Sequence, residues 1–142
     1  VDGVRYNCAE QYMMAQKALL FGDAARHKAI MASSSPGDQK ALGKLVKGFN
    51  KAKWEAVARD VVMRGSLAKF TSTAELYADL MDTEGLVLVE ASPTDPIWGI
   101  GLDEYDPDCA DPEKWKGTNW LGQVLTDLRE HLILARDAEN ML

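Results

Sequence analysis

Between Val89 and Gly101 the sequence reads Val-Glu-Ala-Ser-Pro-Thr-Asp-Pro-Ile-Trp-Gly-Ile-Gly. Two prolines and two glycines in so short a stretch let neither a helix nor a long strand pass through it. Pro93 and Pro96 stop the apolar run Leu86 to Val89, which has the length and composition of a short buried strand. Gly99 and Gly101 permit backbone turns, or a close ligand approach, that a side chain would block. Asp95 and Trp98 are thereby held on a stiff, irregular segment, the arrangement of a pocket rim. The same spacing also describes a proline-rich turn closed by an Asx hydrogen bond at Asp95, with Trp98 buried.

Helical signals dominate on both sides. Asn7 followed by Glu10 has the form of a capping box, and good helix formers continue to Ala18, which predicts a helix over residues 8–20. A short helix is expected over 23–31, and the Ser33-Ser34-Ser35-Pro36 cluster starts a third, weakened by Gly43 and Gly48. Asn50 caps a longer helix in which Trp54, Val57, Ala58, Val61, Val62, Leu67 and Ala68 recur at helical spacing. A helix over 73–80, an acidic surface loop over 103–116 and a last helix capped by Asn119 complete the chain. At 142 residues there is length for one full core and no room for two ordinary domains. The expected fold class is mainly α: a single compact helical domain with one small β element.

Charge is unevenly spread. Residues 40–69 carry eight basic and two acidic side chains, whereas residues 70–142 carry four and sixteen. Lys40, Lys44, Lys47, Lys51 and Lys53 with Arg59, Arg64 and Lys69 would attract an anion such as a phosphate, or form a solvated helix face. The overall net charge of -6 argues against broad non-specific nucleic-acid binding. No apolar run reaches the roughly 20 residues that span a bilayer. Cys8 and Cys109 have no metal-ligand spacing, which favours free thiols in a reducing compartment and a cytoplasmic location.

Glu10 and Lys17 are close to two helical turns apart, on nearly one face, about 10 Å along the axis. They would bracket a sugar-sized ligand; Glu10 also fits a capping-box acid and Lys17 an exposed helical lysine. Asn119, in Lys116-Gly-Thr-Asn-Trp-Leu-Gly122, would bind a ligand or merely cap the final helix. His27 and His131 lack a neighbouring nucleophile or metal-ligand partner, so neither a His-dependent triad nor a zinc site is expected. The acidic loop lacks the glycine and alternating ligands of a calcium loop.

The segments Glu10-Gln-Tyr-Met-Met-Ala-Gln-Lys17-Ala18, Lys40-Ala-Leu-Gly43, Trp54, Met63, Lys69-Phe70, Val89 to Gly101 and Gly117-Thr-Asn119-Trp-Leu-Gly122, taken in order, closely resemble the NADAR family, which includes the YbiA-like N-glycosidases. The resemblance implies a mainly helical YbiA-like domain that hydrolyses N-glycosidic bonds. Its substrates would be ribosylamino-pyrimidine phosphates of riboflavin synthesis or ADP-ribose attached to guanine, including such adducts on nucleic acid. By the same resemblance Glu10, Lys17 and Asp95 are catalytic positions, and Trp98, Gly99, Asn119, Trp54 and Lys69 contact substrate. No metal and no redox cofactor is implied. Gln11 stands where relatives usually have histidine and Met13 where they have an aromatic. The Phe/Leu-Ser-Asn-Phe segment that usually precedes the first helix is missing, so the expectation is one domain over residues 1–142 without that native N-terminal segment.

Those residue types suit the reaction. Breaking a ribose–nitrogen bond develops positive charge on the sugar, which a carboxylate stabilises, while the departing nitrogen takes a proton; Glu10 or Asp95 would fill either role. A desolvated Lys17 would offer a second route through a Schiff base. Trp98 would stack on the base or wall the sugar, Asn119 would fix hydroxyls, and the basic stretch with helix N-termini would hold phosphate. Two alternatives stand beside this reading: a non-catalytic module binding ADP-ribose or a related nucleotide, and a structural helical domain with no ligand.

Overall fold

The computed structural model describes all 142 residues, 60% of them helical and none in a strand. The chain divides into two compact units, Val1–Lys69 and Phe70–Leu142. The charge imbalance follows this division, the first unit carrying net +6 and the second -12.

The first unit contains α1 (Ala9–Leu20), α2 (Ala24–Ala32), α3 (Pro36–Gly43) and α4 (Lys51–Phe70), the last ending at the boundary. Local chemistry sets most of the ends. Asp23 accepts the Arg26 N–H at the start of α2 and Ser35 the Asp38 N–H at the start of α3, where Pro36 lies in the first turn. Asn50 Oδ1 accepts the Lys53 N–H at 3.0 Å ahead of α4. Met14, Ala15, Ala18, Ile30 and Val46 form the core of the unit. Two glycines let helices close on it: a Cβ on Gly43 would collide with the Met14 side chain, and one on Gly65 would lie 2.6 Å from the Tyr12 ring.

The start of α1 departs from the expected capping box. Its N-cap is Cys8, with no side-chain cap. Asn7 cannot serve, because its side chain is drawn into contacts with Ser33 and Gln39. The reach-back toward the helix entrance comes from Gln11, whose Oε1 accepts the Asn7 N–H at 2.7 Å.

The second unit contains α5 (Ala74–Met81) and α6 (Trp120–Asn140) joined by a long irregular stretch. Thr73 caps α5 by accepting the Leu76 N–H at 3.1 Å. The acidic loop at 103–116 holds two short 3-10 turns, Pro107–Ala110 and Pro112–Lys114, each started by an aspartate and a proline. Leu80, Met81, Ile100, Leu102, Val124, Leu128 and Ile133 are buried.

The expected β element does not form. Leu86 and Val87 are 63% and 73% exposed, and the run from Leu86 to Val89 has no paired strand. Side chains from the last helix and its N-cap take the place of a ladder. Asn119 bonds the backbone of Leu88 and Glu90, and the buried Arg129 donates to the carbonyls of Thr83 at 2.7 Å and Leu86 at 2.8 Å. A segment whose polar groups are met by side chains needs no neighbouring strand.

Candidate functional site

Glu10 and Lys17 both lie on α1 and both are half-buried. The Lys17 ammonium sits 4.5 Å from the centre of the Phe49 ring. Burial holds Lys17 below the ordinary lysine range; the Glu10 carboxylate opposes this and the nearby Lys44 charge reinforces it. Phe49 itself meets Phe21 edge to face at 5.4 Å. Its loop is anchored at Asp23, whose Oδ2 accepts the Lys47 N–H at 2.9 Å. Those backbone bonds, from Lys47 and then Arg26, keep the Asp23 carboxyl below its usual range.

An amide network supports this end of the helix. Gln39 is fully buried; it donates to Ser33 O at 2.7 Å and Asn7 Oδ1 at 3.0 Å and accepts from Cys8 Sγ. Gln11 donates to the carbonyls of Ile30 and Met31, both at 3.2 Å, at the end of α2. Gln11 is therefore a buried tie between helices.

In the second unit the rim segment folds onto the entrance of α6. Asp95 Oδ1 accepts the N–H groups of Ile97 at 3.0 Å and Trp98 at 2.9 Å, so the Asx turn read from the sequence is present. Trp98 is half-buried and packs edge to face against Trp120 with ring centres 5.5 Å apart. The carbonyls of Gly99, Ile97 and Trp98 accept the N–H groups of Asn119, Trp120 and Leu121 in turn. The rim thus occupies the amides at the N-terminus of α6, and the expected help from this helix end in holding phosphate is withdrawn.

Glycine is required along the rim. A Cβ on Gly99 would lie 2.8 Å from the Glu90 carbonyl and 2.9 Å from that of Asp95, and one on Gly117 would meet the carbonyls of Gly99 and Pro96. Asn119 is 3% exposed and left-handed, with φ of 54°. It stands at the N-cap as expected, yet its side chain makes no cap bond and goes to Leu88 and Glu90 instead.

The structure thus gathers Glu10 with Lys17 in the first unit, and Asp95, Trp98, Gly99 and Asn119 in the second. Trp54 is buried in the first turn of α4, 8% exposed, and Lys69 is exposed in its last turn. An open groove of about 710 Å³ between α2 and α3, lined by residues including Ala29, Ser33, Asp38 and Leu45, contains none of the expected site residues. Sequence reasoning missed Phe49, for which the only signal was an aromatic between Gly48 and Asn50, two loop residues ahead of a helix.

Residues 1–133 match the NADAR domain. The chain is 44% identical over 131 residues to protein irg-1 of Caenorhabditis elegans, covering 91% of this chain and 62% of that protein, just under two thirds of its length. It is 45% identical over 125 residues to N-glycosidase R617 of Acanthamoeba polyphaga mimivirus, covering 88% of this chain and 74% of the relative. The NMR structure of Escherichia coli YbiA superposes with a TM-score of 0.77 at 33% identity, covering 96% of this chain and 73% of that one.

Proposed function

This chain belongs to the NADAR domain family, and from that premise we propose that it is an N-glycosidase that hydrolyses the ribose–nitrogen bond of a phosphorylated riboside or an ADP-ribosyl adduct. Two relatives named N-glycosidases, from the mimivirus and from Escherichia coli, support the reaction class. The observation that carries the reading to particular atoms is Lys17, a half-buried amine held below the ordinary lysine range on the same helix as the Glu10 carboxylate. A lysine that loses its proton more readily is a better nucleophile near neutral pH.

In the proposed scheme the ribose ring opens at the glycosidic carbon, leaving that carbon doubly bonded to the nitrogen of the base. The neutral Lys17 amine adds to it; the carbon–base bond then breaks, and the base leaves with a proton as its free amine. The resulting lysine iminium takes up water, which releases the sugar as its aldehyde and returns the amine. Glu10 and Asp95 divide the remaining work, one protonating the departing nitrogen and the other stabilising positive charge on the sugar. Direct hydrolysis would use the same two carboxylates without the lysine adduct.

The basic residues 40–69 suit the phosphate groups of either substrate class, and Lys44 is close enough to Lys17 to shift its proton affinity. Lys69 adds to that positive charge from the end of α4. Trp98 offers an indole face to a base, Gly99 and Asn119 hold the rim that carries it, and Trp54 is a buried support at the start of α4 in the first unit. The scheme needs amine and carboxylate chemistry alone. The location proposed is the cytoplasm, in keeping with two cysteines outside any disulfide. No helix is long and apolar enough to cross a membrane.

Parallel incubation with a ribosylamino-pyrimidine phosphate and with a guanine-linked ADP-ribose adduct on DNA, followed by mass spectrometry, tests the reading. Release from one of them, abolished by Glu10→Ala, supports it and selects the branch. Binding of ADP-ribose without release from either, at any protein concentration, would replace the enzyme with a binding module. Borohydride added during turnover should trap the sugar on Lys17; failure to trap leaves direct hydrolysis.

A further inference from the structure

No other aromatic side chain of the first unit is as exposed as Phe49, which shows 45% of its surface. A phenylalanine so placed forgoes much of the gain of burial. Its position is nevertheless well determined. Gly48 before it takes a left-handed φ of 76°, Lys47 is tied to Asp23, and Asn50 after it caps α4. The edge of the ring rests on Phe21. A plug over Phe21 would ask nothing of Lys17, yet the Lys17 ammonium lies over the ring at 4.5 Å.

We propose that Phe49 is a positioning residue for Lys17: its ring face holds the Lys17 nitrogen in place beside the loop 44–50, on the helix that carries Glu10. The inference rests on the role proposed for Lys17 above. A ring quadrupole attracts a cation over its face, and a four-carbon side chain loses rotamer freedom when its end is held. The iminium formed at the same nitrogen in the proposed scheme is also a cation. The ring therefore favours both charged states of that nitrogen over the neutral amine. The other charged groups acting on Lys17 are Glu10 from its own helix and Lys44 from the end of α3.

Titration of isotope-labelled Lys17 by NMR tests this without any substrate. Phe49→Leu keeps an apolar side chain and removes the ring, so the midpoint should fall by about half a pH unit, whereas Phe49→Tyr should leave it in place. In turnover measured above the midpoint, where the amine is neutral in every variant, Phe49→Leu should lower kcat about two- to fivefold through loss of the ring that holds the nitrogen and its iminium, with Phe49→Tyr keeping it. An unchanged midpoint in Phe49→Leu overturns the proposal. Should that variant not fold, the native protein decides: the Lys17 protons next to the nitrogen should be displaced upfield by the ring current, and ordinary shifts there overturn it. If the glycosidase reading alone is wrong, the midpoint shift persists while no turnover is found, so the two failures are distinguishable.

Discussion

Asn119 and Glu90 are joined as two strands would be: the side-chain carbonyl of Asn119 accepts the Glu90 N–H at 3.0 Å, while its amide nitrogen donates to the Leu88 carbonyl at 3.0 Å. One carboxamide thus reproduces a peptide group facing an extended segment. Gly122 leaves the space for it, since a Cβ there would strike both the Leu88 carbonyl and the Asn119 side chain.

Asn119→Ala removes both bonds and places a Cβ-bearing residue without a local hydrogen bond in the left-handed region. The expected cost is about 2–4 kcal/mol, from two backbone groups losing their partner and from the φ angle. Asn119→Gly relieves the backbone and not the bonds, so it should recover only about 1 kcal/mol of the loss. Urea titrations of the three proteins check this; equal stability of Ala and wild type would show that the carboxamide holds nothing.

Gly99→Ala tests the rim more locally. The added methyl meets the carbonyls of Glu90 and Asp95, which are backbone and cannot swing aside. Moving either breaks the Ile100 N–H bond to Glu90 or the Asx turn at Asp95. A destabilisation of about 1–3 kcal/mol is expected, together with a changed fluorescence of the paired Trp98 and Trp120. Unaltered emission and stability would mean that the segment tolerates displacement.

The helices were largely legible because their signals are local. Ser35 and Thr73 cap the helices that follow them and Asn50 caps α4, each through a bond to a residue three positions on. The β element misled for the opposite reason. The run Leu86 to Val89 has a strand's composition, but the partner of Glu90 is a side chain 29 residues later, which no periodicity reveals. At α1 the capping pattern was present in the residue types, while long-range bonds from Ser33 and Gln39 had already claimed the Asn7 side chain. The spacing of Glu10 and Lys17 placed them on one helix correctly, whereas the burial that alters Lys17 depends on residues far along the chain.

Arg129, which no sequence motif singles out, is the most constrained cation of the second unit. It is 3% exposed, and its Nη1 reaches Thr83 Oγ1 at 3.1 Å besides the two carbonyls, while Nε bonds Glu130 at 3.1 Å. Arg129→Met should cost about 2–4 kcal/mol by leaving the Leu86 carbonyl unmet and taking one of two donors from the Thr83 carbonyl, which keeps the Leu86 N–H. Arg129→Lys should recover little, because an ammonium lacks the planar fork. Hydrogen exchange of the turn after α5 reads the effect directly, and protection unchanged in Arg129→Met would remove Arg129 from that role.

Lys17 yields a prediction with a sign in pH. Its folded-state proton affinity lies below the unfolded value near 10.5, so the unfolded chain holds more protons in the interval between the two. The contribution of Lys17 to stability therefore rises with pH across that interval, and below it the full penalty of the buried charge applies. Lys17→Met removes the charge, so its stability relative to wild type should be greatest near neutral pH and decline as pH approaches 10.5. Activity should move the other way: turnover should grow with pH as the neutral amine appears. Lys17→Arg, which stays charged, should lose about 10²–10⁴-fold in kcat while still binding substrate. A Lys17→Arg enzyme of normal kcat would rule out attack by this amine and leave the chemistry to the carboxylates.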